Sequence, residues 1–203
     1  MHKESVQEHQ VIQPSILYYG TPVVLLTTLN EDGTTNISPL SSSWALGHYI
    51  VLGIGVGGKA MENLRNHAEC VINVPDPSLW RQVEALAPLT GKDPVPDYKL
   101  QMSYRYEKDK FGAAGLTSQA SELVQPSRIR ECPLQIESAV RNIRIPEHSP
   151  SFAIVEVEAL RVHARRDIVK NENHVDASSW SPLIYNFRHY FGLGTELGKT
   201  FRA

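Results

Sequence analysis

The chain has 203 residues, of which 41% are hydrophobic and 21% charged, and a formal net charge of −2. That balance excludes a disordered chain and gives no general attraction to nucleic acid or to an anionic membrane, so any anion site must be local. The opening MHKESVQEHQ lacks the apolar core of a secretion signal, and no run approaches the ~18 apolar residues of a membrane span, which predicts a cytoplasmic protein.

In chain order, PVVLLTTL and TTNISPL flank an Asp32-Gly33 turn and predict an antiparallel hairpin. Val23 to Leu26 show no polar alternation, so both faces of the first strand are expected to be covered. HYIVLGIGV reads as a third strand, Lys59 to His67 as a helix with Met61, Leu64 and Ala68 on one stripe, and CVINV as a further strand. A second helix is predicted over DPSLWRQVEALA, with Asp76 as N-cap and Pro77 at the first helical position. TGKDPVPDYK reads as a loop, and DKFGAAGLTSQASEL as a short helix and turn.

Two later strands share an irregularity. In PLQIESAVRNIRI the apolar positions move from Leu134, Ile136 and Val140 to Ile143 and Ile145; in FAIVEVEALRVHA they move from Val155 and Val157 to Leu160 and Val162. A change of period-2 phase within a strand predicts a β-bulge, and long bent antiparallel strands suit a small barrel. The aromatic, glycine-punctuated segment 178–203 is expected to pack on the core or on another subunit. The whole reads as one domain over 1–203, with 1–15 as an N-terminal extension. Cys70 and Cys132 sit in apolar surroundings and read as buried free thiols, and no Cys or His spacing points to zinc. The basic run RVHARRDIVK reads as a solvated face.

The stretch GIGVGGKAMENLR holds Gly53, Gly55 and Gly58 in G-x-G-x-x-G spacing. A dinucleotide turn requires repeated βαβ units, which the long later strands do not provide. A triphosphate loop requires a hydroxyl after the lysine, where Ala60 stands. Two readings remain: a helix N-terminus with Lys59 beside a monophosphate, or a glycine-rich strand end with a solvated lysine. NISPLSSSW places Asn36, Ser38, Ser41, Ser42, Ser43 and Trp44 at the far end of the hairpin, either as partners of a polar ligand or as a serine-rich loop.

Taken together, VVLLTTLNEDGTTNISPLSSSW, GGKAMENLRNHAECVINVP, DKFGAAGL and the following strands resemble the flavin reductase-like, FMN-binding split-barrel family, over roughly residues 20 to 195. The resemblance implies a mainly β fold with short helices (α+β), an antiparallel split β-barrel. In that family a serine-rich return strand lines the flavin and a Lys-x-Thr-x-x-Asn element meets its phosphate; the matching positions here are Lys59, Met61 and Asn63. Carried over as cofactor-binding residues are Asn36, Ser38, Ser41, Ser42, Ser43, Trp44, Lys59 and Asn63, with the hydroxyls of Ser41 to Ser43 compensating for the missing threonine. In the closing segment NFRHY, Arg188 and His189 stand where glycines are commoner. Tyr190 is expected either to face the isoalloxazine or to pack as an aromatic, and Arg188 to stabilise negative charge near the ring. The resemblance further implies a homodimer and chemistry carried by FMN rather than by a catalytic acid–base pair, with NAD(P)H as reductant and a small-molecule electron acceptor. The implied activity is that of a flavin reductase; the alternatives are a flavin-dependent reductase of another small organic substrate and an electron-transfer flavoprotein that does not turn over nicotinamide.

Overall fold

The computed structural model describes residues 9–172 and 174–201. Its strands are β1 (Tyr19–Pro22), β2 (Val24–Leu29), β3 (Thr35–Leu40), β4 (Ser43–Leu46), β5 (Tyr49–Gly55), β6 (Glu69–Val74), β7 (Leu89–Thr90), β8 (Arg105–Tyr106), β9 (Ser118–Gln119), β10 (Arg128–Ile129), β11 (Leu134–Arg144), β12 (Phe152–Ala164), β13 (Val169–Asn171), β14 (His174–Val175), β15 (Ile184–Asn186) and β16 (His189–Phe191). Its α-helices are α1 (Lys59–Asn66), α2 (Trp80–Leu86), α3 (Asp97–Gln101) and α4 (Lys110–Ala114). Seven strands form one antiparallel sheet in the order β3-β2-β6-β11-β12-β5-β4, curled into a half-barrel. Because β5 and β6 are separated by two strands, β5–α1–β6 is not a parallel βαβ unit, and the dinucleotide reading fails on topology.

Strand β2 is buried along its whole length, Thr27 and Thr28 included, in keeping with the apolar run Val23 to Leu26 that opens it. Val24 and Leu26 point into the barrel with Leu52, Met61, Leu64, Ile72 and Val155. Leu25, with Val23 just before the strand, packs on the outer face with Ile37, Val83, Leu86, Ile129 and Leu183. Two small cores therefore share one central strand. Cys70 lies in the first and Cys132 in the second, both as free thiols whose pKa burial pushes up.

Both expected bulges are present in the β11–β12 pair. The register skips Arg141 on β11, between Val140 and Asn142, and Leu160 on β12, between the pairs Glu137–Arg161 and Ser138–Ala159. Each extra residue turns the apolar face of its strand and bends the pair, which is what curls the sheet. Helix α1 packs on β2, β3 and β5 and fills the open side of the curl. It buries Met61 and Leu64 of the expected stripe and ends at Asn66 with His67 as C-cap, so that Ala68, expected on the same stripe, lies beyond the helix and is exposed.

A 3₁₀ turn at Pro77–Leu79 leads into α2, and Asp76 caps it by accepting the Ser78 N–H at 2.9 Å. The segment read as a loop begins on the last residue of β7 and contains the start of α3. β4 is absent from the sequence reading: Ser43 and Trp44 begin an edge strand paired with β5, where a serine-rich bend was expected. Residues 183–190 pack on the outer core through Leu183, Tyr185 and Tyr190, whereas Leu193, Leu197 and Phe201 beyond them are exposed. No helix among the described residues is long and apolar enough to cross a membrane.

Candidate functional site

Where α1 meets the sheet, a cleft of about 320 Å³ opens between β3, β5 and the 87–110 region. Ser38, Pro39 and Leu40 form one wall, Gly53 to Gly55 another, and Gly58 and Lys59 the floor. Gly53 and Gly55 are strand residues, and only Gly58 belongs to the helix start, as its N-cap without a side-chain cap. Gly91 packs against the Lys59 stem: a Cβ there would come within 2.6 Å of Asn36 Oδ1 and 3.1 Å of Lys59 Cγ. Lys59 is thereby held along the cleft floor, with its ammonium on Glu62, which also pairs with Lys92.

Two further lysines enter the cleft from segments that carried no local signal. Lys110, at the start of α4, is only 3% exposed and donates from Nζ to the Ile37 carbonyl at 2.8 Å. Burial first, and then the positive charge of Lys99, bring its pKa down to about 8 against the opposing pull of Glu107. Lys99, on α3, donates to Thr90 Oγ1 at 3.1 Å and lies over the Tyr104 ring; burial and Lys92 lower its pKa also. Nothing in KDPVPDYK or DKFG separates an inward lysine from a solvated one, because the distinction is made by the chain segments that fold over it. Tyr98, Met102 and Tyr104 complete this side.

The ten residues singled out in the sequence divide between several places. Ser38 and Lys59 face the same cleft. Asn36 is buried behind them, donating from Nδ2 to Ser38 Oγ at 3.1 Å, and so orients that hydroxyl. Ser42, Ser43 and Trp44 line a neighbouring apolar hollow of about 670 Å³ with Leu46, Tyr49 and Ile154, and Gly53 is common to the hollow and the cleft. Ser42 Oγ is 2.8 Å from the Tyr18 hydroxyl. Ser41 is half-buried in the bend between β3 and β4.

Asn63 does not reach the cleft. It is 1% exposed, and its Nδ2 donates to Thr28 Oγ1 at 3.0 Å and Asn30 Oδ1 at 2.9 Å, clamping α1 to β2. The spacing explains the difference: Lys-x-Thr-x-x-Asn puts asparagine five positions after lysine, whereas Asn63 follows Lys59 by four and so projects from another helix face. Met61, aligned with the threonine, is wholly buried in the barrel core, and Ala60 is the helix residue that borders the cleft beside Lys59.

Arg188 and Tyr190 lie in the small β1-β15-β16 sheet. Arg188, with Phe187, forms the two-residue turn between β15 and β16, both at positive φ (70° and 44°), the conformation that favours glycine there. Its Nη2 donates to Ser15 Oγ at 3.3 Å. Tyr190 donates its hydroxyl to Glu84 Oε2 at 3.0 Å and packs against Trp80 and Tyr185, the aromatic packing role. No group of three or more histidine, cysteine, aspartate or glutamate side chains is arranged for a metal among the described residues.

Comparison with known proteins decides the family. Residues 16–194 match the family model described as Flavin reductase like domain. The chain belongs to the flavin reductase-like family. Over 201 residues it is 59% identical to YdfE of Bacillus subtilis (strain 168), a protein described as uncharacterized, covering 99% of this chain and 97% of that one. Among solved structures, flavoredoxin of Desulfovibrio vulgaris (Miyazaki F) superposes with a TM-score of 0.79 at 19% identity, covering 97% of this chain and 99% of its own. Flavoredoxin from Methanosarcina acetivorans gives 0.77 at 17% identity, covering 97% of each chain. A Shewanella frigidimarina protein described as having a split barrel domain gives 0.70 at 21% identity, covering 89% of this chain and 85% of its own. At these identities the structures establish the fold: this flavin reductase-like chain is an antiparallel split barrel.

Proposed function

We propose that this protein is a cytoplasmic FMN-binding oxidoreductase that acts as an NAD(P)H-dependent flavin reductase and passes electrons to a small-molecule acceptor. The observation that carries the reading is the convergence of Lys59, Lys99 and Lys110 on one cleft beside the Ser38 hydroxyl. Three ammonium groups that are partly or wholly withdrawn from water, two with pKa values driven down, are a poor arrangement for an empty cleft and a good one for a doubly charged phosphate. Lys59 and Lys110 would hold the phosphate, with Lys99 completing its charge balance and Ser38, oriented by Asn36, donating to it. Gly53 lines both the cleft and the adjoining apolar hollow, where Trp44, Ser42 and Ser43 offer an apolar surface with hydroxyls at its edge.

When bound, FMN supplies the hydride chemistry, accepting from nicotinamide and donating onward. The protein's part is to hold the phosphorylated end, to keep water from the ring on the barrel side, and to leave the opposite side open. A homodimer fits the same surface: Trp44, Leu46 and Tyr49 on the unpaired edge strand β4 and its neighbour are 60%, 76% and 51% exposed, and a second copy would cover them.

Two measurements test the reading. Purified protein mixed with FMN and freed of excess is expected to be yellow, and anaerobic NADH or NADPH to bleach the bound flavin absorbance. Colour without bleaching by either nucleotide points to the electron-transfer role, and a colourless protein removes the flavin reading.

A further inference from the structure

A second polar hollow, of about 460 Å³, lies at the far end of the β11–β12 pair and has no part in the flavin reading. From Ile154, the register partner of Gly53, to His163 in this hollow is nine residues along β12, a strand path of roughly 30 Å. Its charged lining is made of Arg128, Arg130 and Arg165, with Gln119, Gln135 and His163 between them.

Arg128 is the built part of this site. Its side chain is 9% exposed; Nε and Nη2 donate to the Ala120 carbonyl at 3.2 and 2.8 Å, and Nη1 to Gln135 Oε1 at 3.2 Å. A guanidinium has five N–H donors, so one on each terminal nitrogen is left without a protein acceptor among the described residues. Gln135 is fixed in turn, donating to the Ile129 and Cys132 carbonyls. Arg130, at the rim, is exposed and has no ion-pair partner among the described residues.

The neighbouring carboxylates stand outside the lining but pair with groups that belong to it. Glu137 accepts the N–H groups of Glu122, Leu123 and Val124, meets His163 Nε2 at 2.7 Å and lies 3.8 Å from Arg128 Nε, behind the terminal nitrogens, while Arg165 holds Asp167 and lies 3.8 Å from Asp76. What faces the hollow is therefore a fixed guanidinium whose terminal nitrogens keep spare donors, the exposed guanidinium of Arg130, the carboxylate-paired Arg165 and His163, and carboxamides. Planar guanidinium forks of this kind match the paired oxygens of a carboxylate or a phosphate.

We infer that this hollow binds the oxyanion group, carboxylate or phosphate, of a small molecule, at a site separate from the lysine cleft. The test is thermal unfolding of the purified protein titrated with inorganic phosphate and, separately, with citrate, at ionic strength held constant with sodium chloride. Wild type is expected to show a saturable rise of about 2–4 °C with at least one of the two probes. The rise is expected to persist in Lys59→Ala, which disables the other cleft, and to vanish when Arg130→Ala, an exposed position whose loss leaves the fold intact, is added to Lys59→Ala. A response to phosphate alone identifies the phosphate class, and a response to citrate alone the carboxylate class. No saturable rise with either probe, a rise lost in Lys59→Ala, or a rise retained when Arg130→Ala is added to Lys59→Ala overturns the inference.

Discussion

Lys110 Nζ donates to the Ile37 carbonyl over 2.8 Å, which ties the start of α4 to the middle of β3 and places an ammonium group beside the wall that carries Ser38. The contact joins stability to ligand binding, because the same charge that is costly to bury in the empty cleft is the charge an anion would need.

The sign of its pH dependence follows from a folded-state pKa of about 8 against an ordinary 10.5. Between these values the folded chain has released a proton that the unfolded chain keeps, so this group makes stability rise with pH across that window. Anion binding runs the opposite way, since above about 8 the ammonium must first be reprotonated. The dissociation constant for FMN is expected to rise by up to about tenfold per pH unit above 8 in wild type, and far less steeply in Lys110→Met. Fluorescence titration of FMN from pH 7 to 9.5 measures both.

Glu137 gives a second linkage. Burial opposes its ionisation, but the N–H groups of Glu122 and Leu123 and the His163 ring outweigh it and hold the carboxyl below the ordinary 4.5. Its contribution to stability is complete above that ordinary value and is lost as pH falls through the lower folded one. Glu137→Gln is expected to lose about 1–3 kcal/mol at pH 7, and to show a weaker loss of stability than wild type between pH 5 and 3. Urea unfolding at each pH checks this.

Gly53 sits where β5 passes closest to the bend before β4: an added Cβ would lie 2.9 Å from Ser42 Cβ. Gly53→Ala is therefore expected to push the serine-rich bend outward, at a stability cost of about 1–3 kcal/mol, and to weaken FMN binding through the shared wall of cleft and hollow. Chemical unfolding and FMN titration of the same variant separate the two effects.

At the β15–β16 turn, Arg188→Gly is expected to stabilise the protein by about 1 kcal/mol, because glycine accepts the left-handed conformation without the strain an arginine carries. FMN affinity is expected to stay within about twofold of wild type, since the arginine is engaged with Ser15. A thermal unfolding curve and one FMN titration decide both points.

The parts of the fold legible in the sequence were those governed by period and turn chemistry. The covered strand β2 followed from Val23 to Leu26, the hairpin from Asp32-Gly33, and the two bulges from the phase changes around Arg141 and Leu160. The site was less legible because it is assembled from separate segments. Lys59 and Ser38 carried local signals, as a lysine at a helix start and a hydroxyl on a buried strand. Lys99 and Lys110 carried none, since only the fold of the 87–110 region turns them inward. Asn63 and Tyr190 are chemically suited to a ligand, but their donors are directed at Thr28, Asn30 and Glu84 by helix phase and sheet packing, which single-residue reasoning does not resolve.

The central claim, that the lysine cleft grips a phosphate, is tested most directly by comparing FMN with riboflavin, which has the same ring and lacks that group. Isothermal titration at pH 7 is expected to show FMN binding at least about 100-fold more tightly, as two charge-assisted hydrogen bonds of about 1.5–3 kcal/mol each would give, with most of that difference lost in Lys59→Ala. Equal affinity for the two flavins in wild type would contradict the account.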